Sequence, residues 1–99
     1  MKTTTVKEVE QQLAAGVNLN IIDVREADEV KEGKIPSAIH IPLGLVEFRM
    51  HELDKNQEYV MVCRSGNRSG LAARLLEGQG FSVINMLGGM VNWEGPLDY

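Results

Sequence analysis

The residues best suited to chemistry lie in one short segment, Cys63-Arg-Ser-Gly-Asn-Arg68. Cys63 is the only cysteine among 99 residues, and it closes the apolar run 59–63. A lone cysteine in such a place is most often a small buried hydrophobic residue. The two arginines, the glycine and the two small polar residues that follow favour another interpretation, because a core cysteine has no use for them. We therefore expect Cys63 to be an activated nucleophile.

Several effects at this segment would favour a thiolate over a thiol. The residues from 69 to 78 have helical spacing, and the start of a helix presents unpaired N–H groups and a positive dipole end. Arg64 and Arg68 add positive charge, and Gly66 can adopt a positive φ that turns successive amides toward one point. Lowering a thiol pKa by two units requires about 2.7 kcal/mol, which these features together can supply.

A basic loop favours an anionic substrate, either a phosphate ester or a sulfur-bearing anion such as thiosulfate. Enzymes similar to protein tyrosine phosphatases wrap a phosphate with a Cys-x5-Arg loop. Here Arg68 stands at the fifth position after Cys63, and Ser69 occupies the sixth. The loop is therefore shorter by up to about 3.3–3.6 Å of chain. A tighter ring suits one sulfur atom added to Cys63 better than a phosphoryl group.

The elements that must position this loop are predicted from periodicity and turn residues. Apolar, β-branched segments predict strands over 19–24, 38–41, 59–63 and 81–86. Helical spacing or charge predicts helices over 6–16, 25–32, 43–53 and 69–78, with a short terminal helix after a glycine turn at 88–89. This alternation indicates an α/β protein with a mostly parallel sheet and helices on its faces. Ligands of such sheets bind beyond the carboxyl ends of the strands, where the loop after Cys63 lies.

Four segments resemble those of single-domain rhodaneses, a family of sulfurtransferases. They are Ile21–Glu29, similar to the family's Asp-Val-Arg-Glu segment; Gly33–Pro42, similar to Gly-His-Ile-Pro-Gly-Ala; Cys63–Arg68, similar to the active-site loop; and Leu87–Trp93, similar to Gly-Gly-x-x-x-Trp. Each motif alone is modest, but the four occur in the family's order. Lys34 and Ser37 depart from the pattern, since histidine and glycine are common there, and this puts the geometry of that turn in question.

The resemblance implies a three-layer rhodanese-like fold over residues 1–99 as one domain, with about five mostly parallel strands and helices on both faces. It implies that Cys63 takes the outer sulfur of a donor such as thiosulfate as a persulfide. The amides of the loop would hold that sulfur, which assigns substrate binding to Arg64, Ser65, Gly66, Asn67 and Arg68. The two arginines would attract the anionic donor. A nucleophilic acceptor, either cyanide or a thiol that a protein can carry, would remove the sulfur without a metal or an organic cofactor.

Composition excludes several other kinds of binding partner and site. The formal charge of −4 argues against a general nucleic-acid binder, and no apolar run approaches the roughly 20 residues that span a membrane. Without a secretory signal or a second cysteine, we expect a cytoplasmic protein. Cys63, His40 and His51 are the only soft ligands, too few for a cysteine-rich zinc site.

Other residues and other functions complete the predictions. We interpret Asp23 and Arg25 as a structural ion pair or helix cap at a strand end, His40 as structural and His51 as solvated. Besides an enzyme that uses a small donor, a sulfur-relay module fed by a protein remains open. A cysteine phosphatase or arsenate reductase is disfavoured by the short loop, and a non-catalytic interaction domain is disfavoured by the intact Cys63 loop.

Overall fold

A five-stranded sheet organises the computed structural model, which describes residues 1–99. The strands are β1 Lys2–Thr5, β2 Asn20–Asp23, β3 Ile39–His40, β4 Glu58–Val62 and β5 Ser82–Leu87. Their order in the sheet is β1-β5-β4-β2-β3, and every neighbouring pair is parallel. The predicted parallel α/β sheet is confirmed. Four strands lie where the sequence predicts them, whereas β1 was not predicted.

The helices vary in length. They are α1 Val6–Ala14, α2 Ala27–Val30, α3 Val46–Arg49 and α4 Asn67–Gly78, with 3₁₀ turns at Leu43–Leu45, Met50–Glu52 and Met90–Asn92. The continuous helix predicted over 43–53 is wrong, because Leu45 and Arg49 adopt φ near −109° and −102° with ψ near zero, which interrupts the helical ladder. The predicted terminal helix is a single 3₁₀ turn, because Trp93 is already extended. His51 is exposed, as expected.

The sheet separates two apolar clusters. Alternate side chains of a strand point to opposite faces, and along β4 they divide between the clusters accordingly. The first cluster, which packs against α3 and α4, comprises Ile22, Val24, Ile41, Val46, Tyr59, Met61, Cys63, Ala72, Ala73, Leu76, Phe81 and Val83. The second, which packs against α1, comprises Val6, Val9, Ile21, Ile35, Ala38, Val60, Val62 and Met86. Helices therefore cover both faces, and the same alternation places Cys63 on the α4 face.

The turn before β3 accommodates its two departures from the family pattern. Ser37 has a φ of +68°, a conformation that explains why glycine is common at this position. Lys34 donates its Nζ to the carbonyl oxygen of Ala38 at 3.2 Å, and its backbone pairs with Asp98. Contacts within the turn thus take the place of the usual residues. None of the helices in the structure combines the length and apolar character that a membrane span requires.

Candidate active site

The sulfur of Cys63 lies at the carboxyl end of β4, beneath the first turn of α4. Its side chain is fully buried. The backbone N–H of Gly66 donates to Cys63 Sγ at 3.0 Å, and Ser69 Oγ lies 3.2 Å from the same sulfur. The loop after the cysteine therefore curls back over the thiol, as the spacing of its residues predicts.

Gly66 makes this curl possible. Its φ of +102° is a left-handed conformation that favours glycine, and it is the residue that precedes the first residue of α4, Asn67. The Gly66 carbonyl accepts the N–H of Gly70 at 3.1 Å, so the helix is joined directly to the loop. The positive end of a 12-residue helix thus faces Cys63.

The thiol is acidic for a cysteine. Burial raises the pKa of Cys63, but hydrogen bonds from the Ser69 hydroxyl and from the N–H groups of Ser69, Gly66 and Ser65 lower it by more. The net direction is downward from the usual value of 9.0. This direction agrees with the expectation of an activated nucleophile, and hydrogen bonds within the loop and first helical turn supply it.

The charge of Arg68 is already paired. Its Nη1 and Nη2 donate to Glu29 Oε1 and Oε2 at 2.6 and 2.8 Å, in a bidentate arrangement. Chiefly through this hydrogen bonding, Arg68 holds the pKa of Glu29 at about 2. Arg64 is exposed and forms no salt bridge. The sequence predicts that both arginines of the loop attract an anion. In the structure, Arg64 is the one of these two that has no carboxylate partner.

Asp23 and Arg25 form the expected structural ion pair at the end of β2. Arg25 Nη2 lies 2.8 Å from Asp23 Oδ2, and both side chains are buried. The Arg25 guanidinium also donates to the carbonyl oxygens of Gly33 at 2.8 Å and Glu29 at 3.3 Å. His40 Nε2 lies 2.7 Å from the Arg25 carbonyl oxygen, which supports its structural interpretation. Arg25 therefore fixes the backbone of the segment that contains Glu29, the residue that contacts Arg68.

The glycine turn after β5 holds the loop from the other side. The N–H of Met90 donates to the Cys63 carbonyl at 2.8 Å, and the N–H of Val91 donates to the Arg64 carbonyl at 3.0 Å. Gly89 has a φ of +63°, and a Cβ there would overlap the Arg64 carbonyl. The sequence predicts a turn that lets the last helix pack, and the structure shows that this turn also fixes the backbone of Cys63.

Ser69 and Asn85 adjoin the site, although the sequence did not point to them. Ser69 Oγ lies 2.6 Å from Asn85 Oδ1, and Asn85 Nδ2 donates to the Gly66 carbonyl at 3.1 Å. Both residues are buried. A polar residue inside the apolar strand 81–86 was the available signal, because a buried amide requires hydrogen-bond partners.

The amino-acid sequence also matches those of known proteins. The family model described as the rhodanese-like domain matches residues 5–96. The chain belongs to the rhodanese-like domain family. Among its relatives in Bacillus subtilis (strain 168) is YtwF, provisionally named a sulfurtransferase, with 44% identity over 96% of this chain and 92% of YtwF. YrkF of the same organism, provisionally named a sulfur carrier protein, is 45% identical over 95% of this chain, which spans about half (51%) of YrkF.

A solved structure agrees with this family assignment. A rhodanese-like domain protein from Staphylococcus aureus superposes with a TM-score of 0.93 at 33% identity, over 99% of this chain and 97% of that one. The fold that the four sequence motifs imply is thereby confirmed.

Proposed function

We propose that this protein is a sulfurtransferase that carries sulfane sulfur as a persulfide on Cys63. One observation carries the proposal: the Cys63 sulfur receives the Gly66 N–H at 3.0 Å, at the amino end of α4. This geometry stabilises negative charge on sulfur, which the reaction requires of the attacking group. The sulfurtransferase and sulfur carrier names of the relatives agree with this chemistry.

The reaction divides into two half-reactions. The Cys63 thiolate attacks the outer sulfur of the donor, so that a new S–S bond forms while the donor's own bond to that sulfur breaks. With thiosulfate as donor, sulfite leaves with the electron pair. An acceptor thiolate or cyanide then attacks the outer sulfur of the persulfide, and the electron pair of the broken S–S bond returns to Cys63. Ping-pong kinetics follow from this sequence.

The loop residues have distinct roles in this proposal. The backbone amides from Arg64 to Arg68 hold the outer, anionic sulfur of the persulfide. Arg64 attracts the anionic donor, because its guanidinium is exposed and has no carboxylate partner. Arg68 positions the loop through Glu29 rather than binding the donor directly.

A protein-fed sulfur relay is the second candidate. The pairing of Arg68 with Glu29 leaves a small dianion such as thiosulfate with one free guanidinium to attract it. A donor protein can add contacts over a larger surface. Steady-state kinetics distinguish the two candidates, since a relay would show weak saturation by thiosulfate and faster turnover with a protein persulfide donor.

The decisive experiment is to incubate the reduced protein with thiosulfate and measure its intact mass beside the Cys63→Ser variant. We expect a gain of one sulfur atom that is absent in the variant and is released by cyanide as thiocyanate. A folded protein with a reactive thiol that gains no sulfur from thiosulfate, or from a protein persulfide donor, would overturn the proposal. Hydrolysis of a phosphate ester that depends on Cys63 would instead favour the phosphatase alternative.

A further inference from the structure

Three buried polar side chains form a continuous hydrogen-bonded chain beneath the active-site loop. Cys63 Sγ lies 3.2 Å from Ser69 Oγ, which lies 2.6 Å from Asn85 Oδ1. Asn85 Nδ2 completes the chain at the Gly66 carbonyl, 3.1 Å away. The exposed fractions are 0% for Cys63 and Ser69 and 4% for Asn85, so water does not replace a lost partner.

The orientation of the Asn85 amide is fixed by the Gly66 carbonyl. A carbonyl oxygen only accepts, so the side of Asn85 that faces it must be the NH₂ group. Turning the amide over would place two acceptors against each other. Asn85 Oδ1 therefore faces Ser69, and it accepts the only proton that the Ser69 hydroxyl has.

The protons available in this chain satisfy all of its groups when Cys63 is a thiol. The thiol donates to Ser69 Oγ, and the hydroxyl donates onward to Asn85, so every group has a partner. The count changes when Cys63 ionises, because the thiolate can only accept. Ser69 must then turn its proton toward the sulfur, which leaves Asn85 Oδ1 buried without a donor.

We propose that Ser69 and Asn85 are positioning residues that form a two-state hydrogen-bond switch: the Ser69 hydroxyl donates to Asn85 while Cys63 is a thiol and to Cys63 once its sulfur is anionic. Asn85 thus competes with the sulfur for one proton. The two residues therefore have opposite effects on the thiolate: Ser69 stabilises it, and Asn85 opposes it. The inference rests on the proposed function only in taking Cys63 as the reacting group.

The charged groups around the sulfur leave this competition in place. Arg68 is the charged group of the loop that interacts electrostatically with Cys63. Its charge is paired with Glu29 from α2. At the end of β2, Asp23 is paired with Arg25. Neither Ser69 nor Asn85 belongs to these ion pairs, so substituting them removes no charged group. Hydrogen bonding by the Ser69 hydroxyl also lowers the pKa of Cys63, in the direction that the switch requires.

The switch also bears on the sulfur-loaded state. In a persulfide the negative charge lies on the outer sulfur, and the inner sulfur of Cys63 is bonded to it and uncharged. The Ser69 proton can then return to Asn85. Asn85 Oδ1 thus has a donor in the thiol and in the persulfide but not in the thiolate between them, which favours onward reaction of the thiolate with a donor.

The test is a pH titration of the thiolate's ultraviolet absorbance, with Cys63→Ser as the blank. Cys63 is the only cysteine, so the difference reports this sulfur alone, whether or not a reagent can reach it. We expect Ser69→Ala to raise the apparent pKa by about one unit, because one hydrogen bond to the sulfur is lost. We expect Asn85→Leu to lower it by a similar amount, because Ser69 no longer has a competing acceptor. The double variant should titrate like Ser69→Ala, because Asn85 acts through Ser69.

The controls separate this switch from a general loosening of the loop. Ser82→Ala is the matched control for loss of a hydroxyl, since Ser82 is exposed at the start of β5. In Asn85→Leu the Gly66 carbonyl keeps the Gly70 N–H as its partner. An unchanged or raised pKa in Asn85→Leu, or an unchanged pKa in Ser69→Ala, would overturn the switch. If Ser69→Ala does not fold, the sign of the Asn85→Leu shift decides alone. None of these titrations requires sulfur transfer, so failure of the proposed function would be recognised separately by mass.

Discussion

At the residue scale, the pairing of Glu29 with Arg68 is one of the contacts that hold the loop after Cys63. The two side chains are only partly covered, with exposed fractions of 25% and 32%. Both oxygens of the carboxylate are nevertheless bound by the guanidinium. Such a bidentate pair restrains the loop more firmly than a single exposed contact does. Its contribution to stability should therefore be present at neutral pH and lost in acid.

We predict that Glu29→Gln destabilises the protein at pH 7 by roughly 1–2 kcal/mol, a value reduced for solvent screening. The pKa of Glu29 is about 2 in the folded protein and 4.5 ordinarily. Because folding depresses this pKa, the stabilisation is complete above the ordinary value and is lost as the pH falls toward the folded one. Urea unfolding of both proteins should show the difference at pH 7 and its disappearance near pH 2.

The matched control for this prediction is Glu47→Gln, since Glu47 is exposed on α3 and forms no salt bridge. It should change stability little at any pH. A difference between wild type and Glu29→Gln that persists unchanged in acid would show that the ion pair is not its source.

At the element scale, the site depends on a turn and a loop that are far apart in sequence. The segment 88–91 follows β5 and donates two backbone hydrogen bonds to Cys63 and Arg64, which follow β4. Neighbouring parallel strands place the two segments side by side at one edge of the sheet. Gly89 is the point of closest approach, because its backbone lies directly against Arg64.

We predict that Gly89→Ala destabilises the protein by about 2–3 kcal/mol and slows sulfur uptake at least about tenfold. The added methyl group would overlap the Arg64 carbonyl, and alanine disfavours the positive φ at this position. The loop must then shift relative to the Cys63 sulfur. Urea unfolding and the rate of mass gain with thiosulfate measure the two effects.

Gly78→Ala provides the control, because Gly78 lies at the end of α4 and a Cβ there meets nothing within 4 Å. It should be neutral or up to about 1 kcal/mol more stable, with unchanged sulfur uptake. If Gly89→Ala behaved in the same way, close packing of the turn would not be needed to hold the loop.

The elements that the sequence predicts well are those with a local signal. Strand β4 is a continuous apolar run, and α4 has helical spacing that begins beside glycine and small polar residues. Strand β1 has no such signal, because most of its residues are exposed and it exists through pairing with β5 at the edge of the sheet. The predicted helix over 43–53 failed because apolar spacing does not reveal where the backbone leaves the helical region.

The same distinction applies to the site. The contact between Gly66 and the Cys63 sulfur joins near neighbours, and the loop sequence alone predicts it. The contact of Glu29 with Arg68 joins residues 39 positions apart, and that of Ser69 with Asn85 joins residues 16 apart. Such pairs become visible only once the order of strands and helices in space is known. The turn of the loop over the Cys63 sulfur was therefore predictable, whereas these long-range contacts were not.

At the scale of the whole molecule, stability and chemistry come from different parts of the structure. The apolar clusters on the two faces of the sheet bury most of the large side chains. The groups that touch the Cys63 sulfur come from the loop and the first turn of α4, at the carboxyl end of the sheet. Burial of apolar surface is the dominant favourable contribution to folding, so the clusters should determine the unfolding free energy.

We predict that Leu76→Ala lowers the free energy of unfolding by about 2–5 kcal/mol and leaves the thiolate titration of Cys63 unchanged. Leu76 is fully buried in the same cluster as Cys63, but it lies two helical turns beyond Ser69, about 10 Å along α4. Val9→Ala, in the cluster on the opposite face, should also destabilise the protein without moving the titration. If Leu76→Ala shifted the pKa and Val9→Ala did not, the position of the first turn of α4 would depend on packing along the whole helix. The free energy of unfolding and the pKa of Cys63 would then not be independent on the face of the sheet that carries Cys63.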